Sequence, residues 1–328
     1  MKKGICIALA LAMLCGLCAC GGETPKKDDG KYTIGIVQLV QHDALDAATK
    51  GFQDAVKELL GAENVTFDLQ NASNDIPMCK TITDNFANKN VDLIMANATP
   101  ALQAAVKSTK KIPILGTSIT EYGVALGIDN FSGTVGGNVS GTSDLAPLDK
   151  QAQMILDLVP TAKTVGLLYC AAEPNSVYQV KVVKEYLAGK GITCKEYTFS
   201  DTNDVSVVVK KASAENDALY VPTDNTAASC ADAIYKAMNP KKPIVCGEAN
   251  LCKGCGIATL SIDYYDLGYA TGKMAAKILK DGADISKMAI EYTPAEKLSK
   301  SYNEAICKEL QLDVEALKTA GYVALDAN

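Results

Sequence analysis

A single histidine, His42, and one C-x-x-C pair, Cys252 and Cys255, are the residues of this 328-residue chain that most invite a chemical reading. One histidine excludes a His-based metal cluster and a Ser/His/Asp triad built around a second histidine, and His42 as a general base lacks an obvious nucleophile. Two readings remain for it: a hydrogen bond to a ligand, or an incidental cap or surface position. The cysteine pair could bind zinc or cycle as a redox couple. A structural zinc site wants two more ligands nearby, and no second C-x-x-C or histidine pair occurs beyond Cys20. A thioredoxin-like site would also open a helix, whereas this pair reads as a surface loop ahead of "IATLSID", with a disulfide as one way of closing it. No metal and no cofactor is expected.

The remaining polar residues that could do work fall directly after apolar runs, where binding loops belong. Gln41 and His42 follow the first run, and Glu173, Asn175 and Ser176 follow its counterpart later in the chain. Ala98 and Thr99 precede Pro100, which suits the first turn of a helix, so this stretch should offer N–H donors and a hydroxyl to an anion such as an α-carboxylate. Asp224, with Asn225 beside it, offers a negative charge for a primary ammonium. Together they read as a clamp for an amino-acid zwitterion, although Thr99 and Asp224 equally suit N-caps. Thr117 and Ser118 close "IPILGTS", and Glu248 closes its counterpart. Thr142, Ser143 and Asp144 lie at a crossing between halves, and Asp263, Tyr264 and Tyr265 at the return crossing. There Asp263 could join Asp224 at the ammonium and a tyrosine could face a ring, or the tyrosines could pack as core.

These residues need elements to hold them. "YTIGIVQLV", "VTFDL", "DLIMA" and "IPILG" read as strands, with helices over Ala44 to Leu60, Ile76 to Asn88 and Pro100 to Lys107 between them. Such alternation predicts a parallel sheet with helices on both faces, and the nearly all-apolar strands agree. The pattern then repeats. "TIGIV" at Thr33 returns as "TVGLL" at Thr164, "SNDI" at Ser73 as "TNDV" at Thr202, "DLIMANATPA" at Asp92 as "ALYVPTDNTA" at Ala218, and "IPILG" at Ile112 as "KPIVC" at Lys242. Four matches in the same order, at offsets of about 125 to 131 residues, indicate an internal duplication. The expected fold is α/β: two similar Rossmann-like lobes joined by a hinge. One lobe would comprise residues 32–143 plus about 264–291, the other 144–263 plus about 292–328. Ligands of open parallel sheets bind beyond the carboxyl ends of the strands, so facing strand tips would make an interlobe cleft. "GTVGGNVSG" supplies glycines suited to a hinge or to a plain connecting loop.

Composition fits a globular chain: 48% hydrophobic, 21% charged, with a formal net charge of −6 that speaks against nucleic-acid binding. Residues 1–19 read as a signal peptide: Lys2 and Lys3, then an apolar run too short to span a bilayer comfortably. Leu17-Cys18-Ala19-Cys20 resembles the bacterial lipobox, which implies cleavage before Cys20 and lipid on its thiol. An ordinary signal peptide with Cys20 unmodified is the alternative. Residues 20–31 would be a flexible tether. Four of the 12 cysteines lie in this leader, and most of the other eight sit inside apolar patterns and read as core thiols.

"GIVQLVQHDALDAATKGFQDAVKELLG", "ANATPALQAAV", "GGNVSGTSDL", "YCAAEPNSVYQ", "YVPTDNTAAS" and "IDYYDLGYATG" resemble the ABC-transporter substrate-binding protein family of type I periplasmic-binding fold, from about Tyr32 to about Lys280. "CKGCG" departs from the Gly-containing loop usual there. The resemblance implies a monomeric, non-enzymatic, lipid-anchored receptor on the outer face of the cytoplasmic membrane. Its partners would be an ABC permease, a separate ATPase subunit and a small amino-acid ligand, with aromatic Trp, Tyr or Phe as first choice. A ligand sensor of the same fold, or a binder of branched aliphatic or other small amphipathic solutes, is the alternative. With no Trp and only five Phe, a ring pocket would draw on the 14 tyrosines, and sequence does not show which converge. Nor is the path after about Ile285 legible.

Overall fold

A computed structural model describes residues 30–325. The signal peptide, Cys20 and nearly all of the tether lie outside the described residues. Among those described, no helix is long and apolar enough to cross a membrane.

The first lobe runs β1 (Tyr32–Gln38), α1 (Asp43–Leu60), β2 (Val65–Asn71), α2 (Ile76–Lys89), β3 (Leu93–Asn97), α3 (Thr99–Ser108), β4 (Ile114–Ile119), α4 (Tyr122–Leu126) and β5 (Val139–Ser143). The second continues with α5 (Leu148–Leu158), β6 (Thr164–Cys170), α6 (Pro174–Gly189), β7 (Thr193–Phe199), α7 (Val205–Glu215), β8 (Ala218–Val221), α8 (Asn225–Ala228), α9 (Ala231–Ala237), β9 (Ile244–Cys246), α10 (Ala249–Cys255) and β10 (Ala258–Ser261). The chain then returns through α11 (Tyr264–Leu279) and β11 (Glu291–Tyr292), and crosses again to β12 (Ser299–Tyr302), α12 (Glu304–Glu309), α13 (Val314–Thr319) and β13 (Val323–Ala324).

The sheets are ordered β11-β5-β4-β3-β1-β2 and β13-β12-β10-β9-β8-β6-β7. In each, the first strand of a repeat lies between its second and third, so the duplicated sequence folds into duplicated topology. Alternation within a strand shows why these runs are so apolar. Ile34 and Ile36 face one core and Val37 the other; Val165 and Leu167 face one, Leu168 and Cys170 the other. Both faces of each sheet are covered, so every second residue finds apolar company either way. One departure from an all-parallel arrangement is β12, which pairs antiparallel with β10. The chain re-enters the second sheet from β11 beside the carboxyl end of β10, with Ser299 opposite Ser261, so β12 runs back against it.

Helix α1 starts with Asp43 and Asp46 in its first turn, favourable at the positive end of the helix dipole. It buries Leu45, Ala48, Phe52, Ala55 and Val56, one stripe at helical spacing. Helix α11 lies along it at backbone distance. A Cβ added to Gly268 would stand 1.9 Å from the Ala48 carbonyl oxygen, and one on Gly51 2.1 Å from that of Tyr265. Although α11 follows a strand of the second sheet, it packs its Met274, Ala275 and Ile278 into the first lobe's core.

The eight cysteines among the described residues are free thiols, six of them buried. Burial pushes the Cys170 thiol up to about 11, which leaves it protonated and inert at neutral pH. Cys252 and Cys255 differ from the expected surface loop: both lie on helix α10, fully buried and unbridged. The Glu248 side chain caps that helix, and Gly256, where it ends, leaves room for sulfur, since a Cβ there would stand 2.4 Å from Cys246 Sγ.

Candidate interlobe ligand site

Polar networks beneath the surface fix the strand tips. In the first lobe, Thr49 Oγ1 donates to Gln38 Oε1 at 2.6 Å and Asn97 Nδ2 to the Leu45 carbonyl at 2.8 Å, tying the start of α1 to β1 and β3. In the second, Gln151 Nε2 donates to the Gly247 and Leu260 carbonyls at 3.0 and 2.9 Å, while Tyr220 O–H donates to Gln151 Oε1 at 2.7 Å. Loops on such rigid footings can hold a guest without reordering.

The tips of the two sheets face each other. Asn74 Nδ2 donates to Thr226 Oγ1 at 3.1 Å, and His42 Nε2 lies 3.4 Å from Asn225 Oδ1, so loops after β1 and β2 meet the start of α8 across the cleft. The start of α8 is itself held by Glu173. Its carboxylate, 2% exposed, accepts from Asn225 N and Nδ2 (3.1 and 2.6 Å) and from Thr226 N and Oγ1 (both 2.8 Å).

Not every residue expected at the site is free to serve it. Asp224 spends both carboxylate oxygens on the backbone, accepting from Ala227 N at 2.8 Å and Cys170 N at 2.7 Å. It is an N-cap that also pins β6, not an open partner for an ammonium. Glu248 likewise accepts from Asn250 N at 2.7 Å and from Leu251 N. Thr117, Thr142 and Thr271 form a hydroxyl chain, with 3.3 and 2.8 Å between successive oxygens, which turns Thr142 toward α11. Ser143 Oγ donates to the Thr120 carbonyl at 2.8 Å and shapes the crossing. Asp263 is exposed and caps α11 through Asp266 N. It lines a separate cavity of about 200 Å³ with Leu267, Glu291, Tyr292 and Lys297. Gln41 is exposed as well. Ser176 is buried and its Oγ accepts from Asn175 Nδ2 at 3.3 Å.

Among the buried polar atoms without a hydrogen-bond partner are four around this cleft: His42 Nδ1, Ser118 Oγ, Asp144 Oδ1 and Asn175 Oδ1. They come from both lobes and from the crossing between them. Leaving such a group unpaired costs on the order of 1–3 kcal/mol, more for a charge, so four around one cleft imply a polar guest. Backbone strain marks the same rim. Ala98, which starts α3 without a side-chain cap, has φ 90°, and Ser118 has φ 55°. Both are positions where a side chain costs on the order of 1 kcal/mol or more.

The electrostatics are one-sided. Asp144 is buried, its Oδ2 accepts from Tyr264 O–H at 2.9 Å, and burial raises it to about 6 against the opposing effect of Tyr264 and Thr120. Burial likewise raises Glu248 to about 7, with Asp144 adding to the effect. For Asp224, burial and then neighbouring Glu173 act upward, against the backbone bonds from Ala227 and Cys170 that favour its charge. Burial lowers His42. No lysine is buried among the described residues, and the chain contains no arginine. The cleft therefore gathers carboxylates without a cation of its own.

Asp144 and Tyr264 carry more of the site than their sequence positions suggest. "SGTSDL" marks a crossing, but nothing in it shows that one oxygen of Asp144 stays unpaired.

Two similar lobes with facing strand tips and unpaired polar atoms from both form a two-lobed binding protein of type I periplasmic-binding fold. The profile of the family described as "ABC transporter substrate binding protein" matches residues 33–320, and the chain belongs to that family. It is 34% identical over 329 residues to a tyrosine-binding protein of Clostridioides difficile (strain R20291), covering 98% of this chain and 94% of the relative. Among solved structures it is similar to an ABC domain in complex with L-Trp from Streptococcus pneumonia, with TM-score 0.83, 32% identity, 90% of this chain and 100% of that one. Against the ligand-free, open structure of a substrate-binding protein with adhesive properties from Clostridium difficile, identity is 37% with the same coverage, yet the TM-score is 0.67. This structure thus superposes better on the ligand-bound relative than on the ligand-free, open one, and its own lobes meet through the bonds of His42 and Asn74.

Proposed function

We propose that this protein captures an aromatic amino acid (Tyr, Trp or Phe) in the interlobe cleft and passes it to an ABC permease powered by a separate ATPase subunit. The observation that carries the reading is the set of unpaired buried atoms at the strand tips, with acceptors concentrated at Asp144 and Asn175. The ligand ammonium would meet Asp144 Oδ1 and Asn175 Oδ1. Its carboxylate would meet the first turn of α3 at Ala98 and Thr99 together with the Ser118 hydroxyl, because a helix start favours an anion and no arginine exists to take that role. His42, Glu173, Asn225 and Glu248 would shape and close the cleft around it. The class of ligand comes from the tyrosine-binding and tryptophan-bound relatives.

The remaining assignments follow the sequence. Lipid on Cys20 would tether the protein to the outer face of the cytoplasmic membrane as a monomer, and the rigid bodies would be residues 32–143 with 264–291 and 144–263 with 292–328. Binding is tested by a thermal-shift panel of all amino acids followed by calorimetry. The chain has no Trp, so bound tryptophan can be followed by its own fluorescence. Stabilisation by aromatic amino acids above all others is expected; no stabilisation by any amino acid would refute the reading.

A further inference from the structure

The carboxylates around the cleft have a consequence beyond ligand choice. Asp144 stands at the crossing from β5 to α5, faced by Tyr264 from the start of α11, Thr120 from the β4 tip, Glu173 from the start of α6 and Glu248 from the start of α10. Asp43 at the start of α1 acts on Glu248 in turn, and His42 lies among Glu173, Asp43 and Asp46. Every ion pair among the described residues lies elsewhere, on the surface. No basic group is among those acting on Asp144, and the one histidine of the cleft, His42, is disfavoured as a cation by its burial. A buried carboxylate so placed is most cheaply kept neutral until a cation arrives.

We propose that the cleft releases a proton when it captures the ligand's ammonium, so that occupancy is coupled to pH through Asp144 and the carboxylates facing it. The balance is simple. In the empty cleft the Asp144 carboxyl holds a proton in about half of the molecules at pH 6 and in most at pH 5; on binding, that proton passes to solvent and an ammonium N–H donates to Oδ1 in its place. The ligand keeps all its own protons, since neither its carboxylate nor its ammonium titrates between pH 5 and 7.

The sign follows from linkage. A carboxyl poised at about 6 in the empty cleft, and well below 5 beside an ammonium, makes affinity fall about tenfold from pH 7 to pH 5. Below that window each further pH unit costs up to about another tenfold, and above it the dependence flattens.

The inference rests on the amino-acid reading of the site, and the experiment separates the two. Calorimetric titration of the full chain with L-tyrosine at pH 6, in buffers of differing ionisation enthalpy, measures protons released per ligand bound. About half a proton is expected at pH 6, rising toward one at pH 5 and declining toward pH 8. Asp144→Asn, titrated at concentrations high enough to restore saturation, should lose the release, whereas His42→Gln should keep it. Normal binding by the unaltered chain with heats independent of buffer and an affinity flat from pH 5 to 7 would overturn the inference and leave the reading standing. So would release that survives Asp144→Asn and vanishes in His42→Gln. Absence of amino-acid binding at every pH would overturn both.

Discussion

Ser118 and Asp224 illustrate how two polar residues at neighbouring cleft loops can have opposite assignments. Ser118 has a buried hydroxyl with no partner in the protein, so Ser118→Ala should leave stability unchanged within about 0.5 kcal/mol and still weaken ligand binding by roughly 5–10-fold. Asp224 is bonded at both oxygens, so Asp224→Ala should lower unfolding free energy by about 2 kcal/mol or more by stranding the Cys170 and Ala227 amides. Urea denaturation beside calorimetry reads both quantities, and a stable Asp224→Ala protein with abolished binding would reverse the assignment. In the sequence these residues look alike: each is a small polar group directly after an apolar strand. Which one points inward, and which keeps an oxygen free, depends on partners 50 or more residues away, as the Asp224 bond to Cys170 shows. Asp144 was legible as part of a crossing but not as an unpaired acid for the same reason. Pairing is a property of the assembled tips.

At the scale of elements far more was readable, because helix and strand periodicity is local. The expected helices over Ala44–Leu60, Ile76–Asn88 and Pro100–Lys107 differ from α1, α2 and α3 by one residue at an end or at both. Three of the repeated motifs fall on equivalent strands, β1 and β6, β3 and β8, β4 and β9, and the fourth on the starts of α2 and α7. Where this failed, short elements were at fault: α10 spans Ala249–Cys255 with a glycine at position 254, and its seven residues carry too little periodicity to outweigh the loop-like "CKGCG". Its cap is Glu248, outside the Ser, Thr, Asp and Asn set that marks a helix start in sequence. Repetition also hid a difference, since Asp75 caps α2 through Met78 N while its counterpart Asp204 makes no side-chain cap bond to α7. The loop that Asp75 anchors carries Asn74, which bonds across the cleft to Thr226. Asn74→Ala should therefore shift the lobes toward opening, seen as a larger radius of gyration with ligand bound at subsaturating concentration, and weaken affinity by about 2–10-fold. An unchanged radius and affinity would show that this contact does not bias closure.

For the whole molecule, the raised cleft carboxylates make stability depend on pH in an unusual direction. Asp144 and Glu248 bind protons more tightly folded than unfolded, so the folded state holds more protons between about pH 4 and 7. Unliganded protein should accordingly lose stability as pH rises through that window, while stabilisation by ligand grows. Melting temperatures at pH 5 and 7.5, with and without amino acid, check both slopes, and an unliganded melting point that climbs with pH would contradict them. The contact between α1 and α11 also shapes how the molecule moves. Because Gly268 leaves no gap between the two backbones, Gly268→Ala should destabilise the fold by about 1–3 kcal/mol. That seam welds α11 to its neighbour from the first turn after the return strand, leaving almost no chain in which a bend could be spread out. Rotation is then concentrated in a few bonds at each of the three crossings, and the receptor should snap between two poses instead of sampling a continuum.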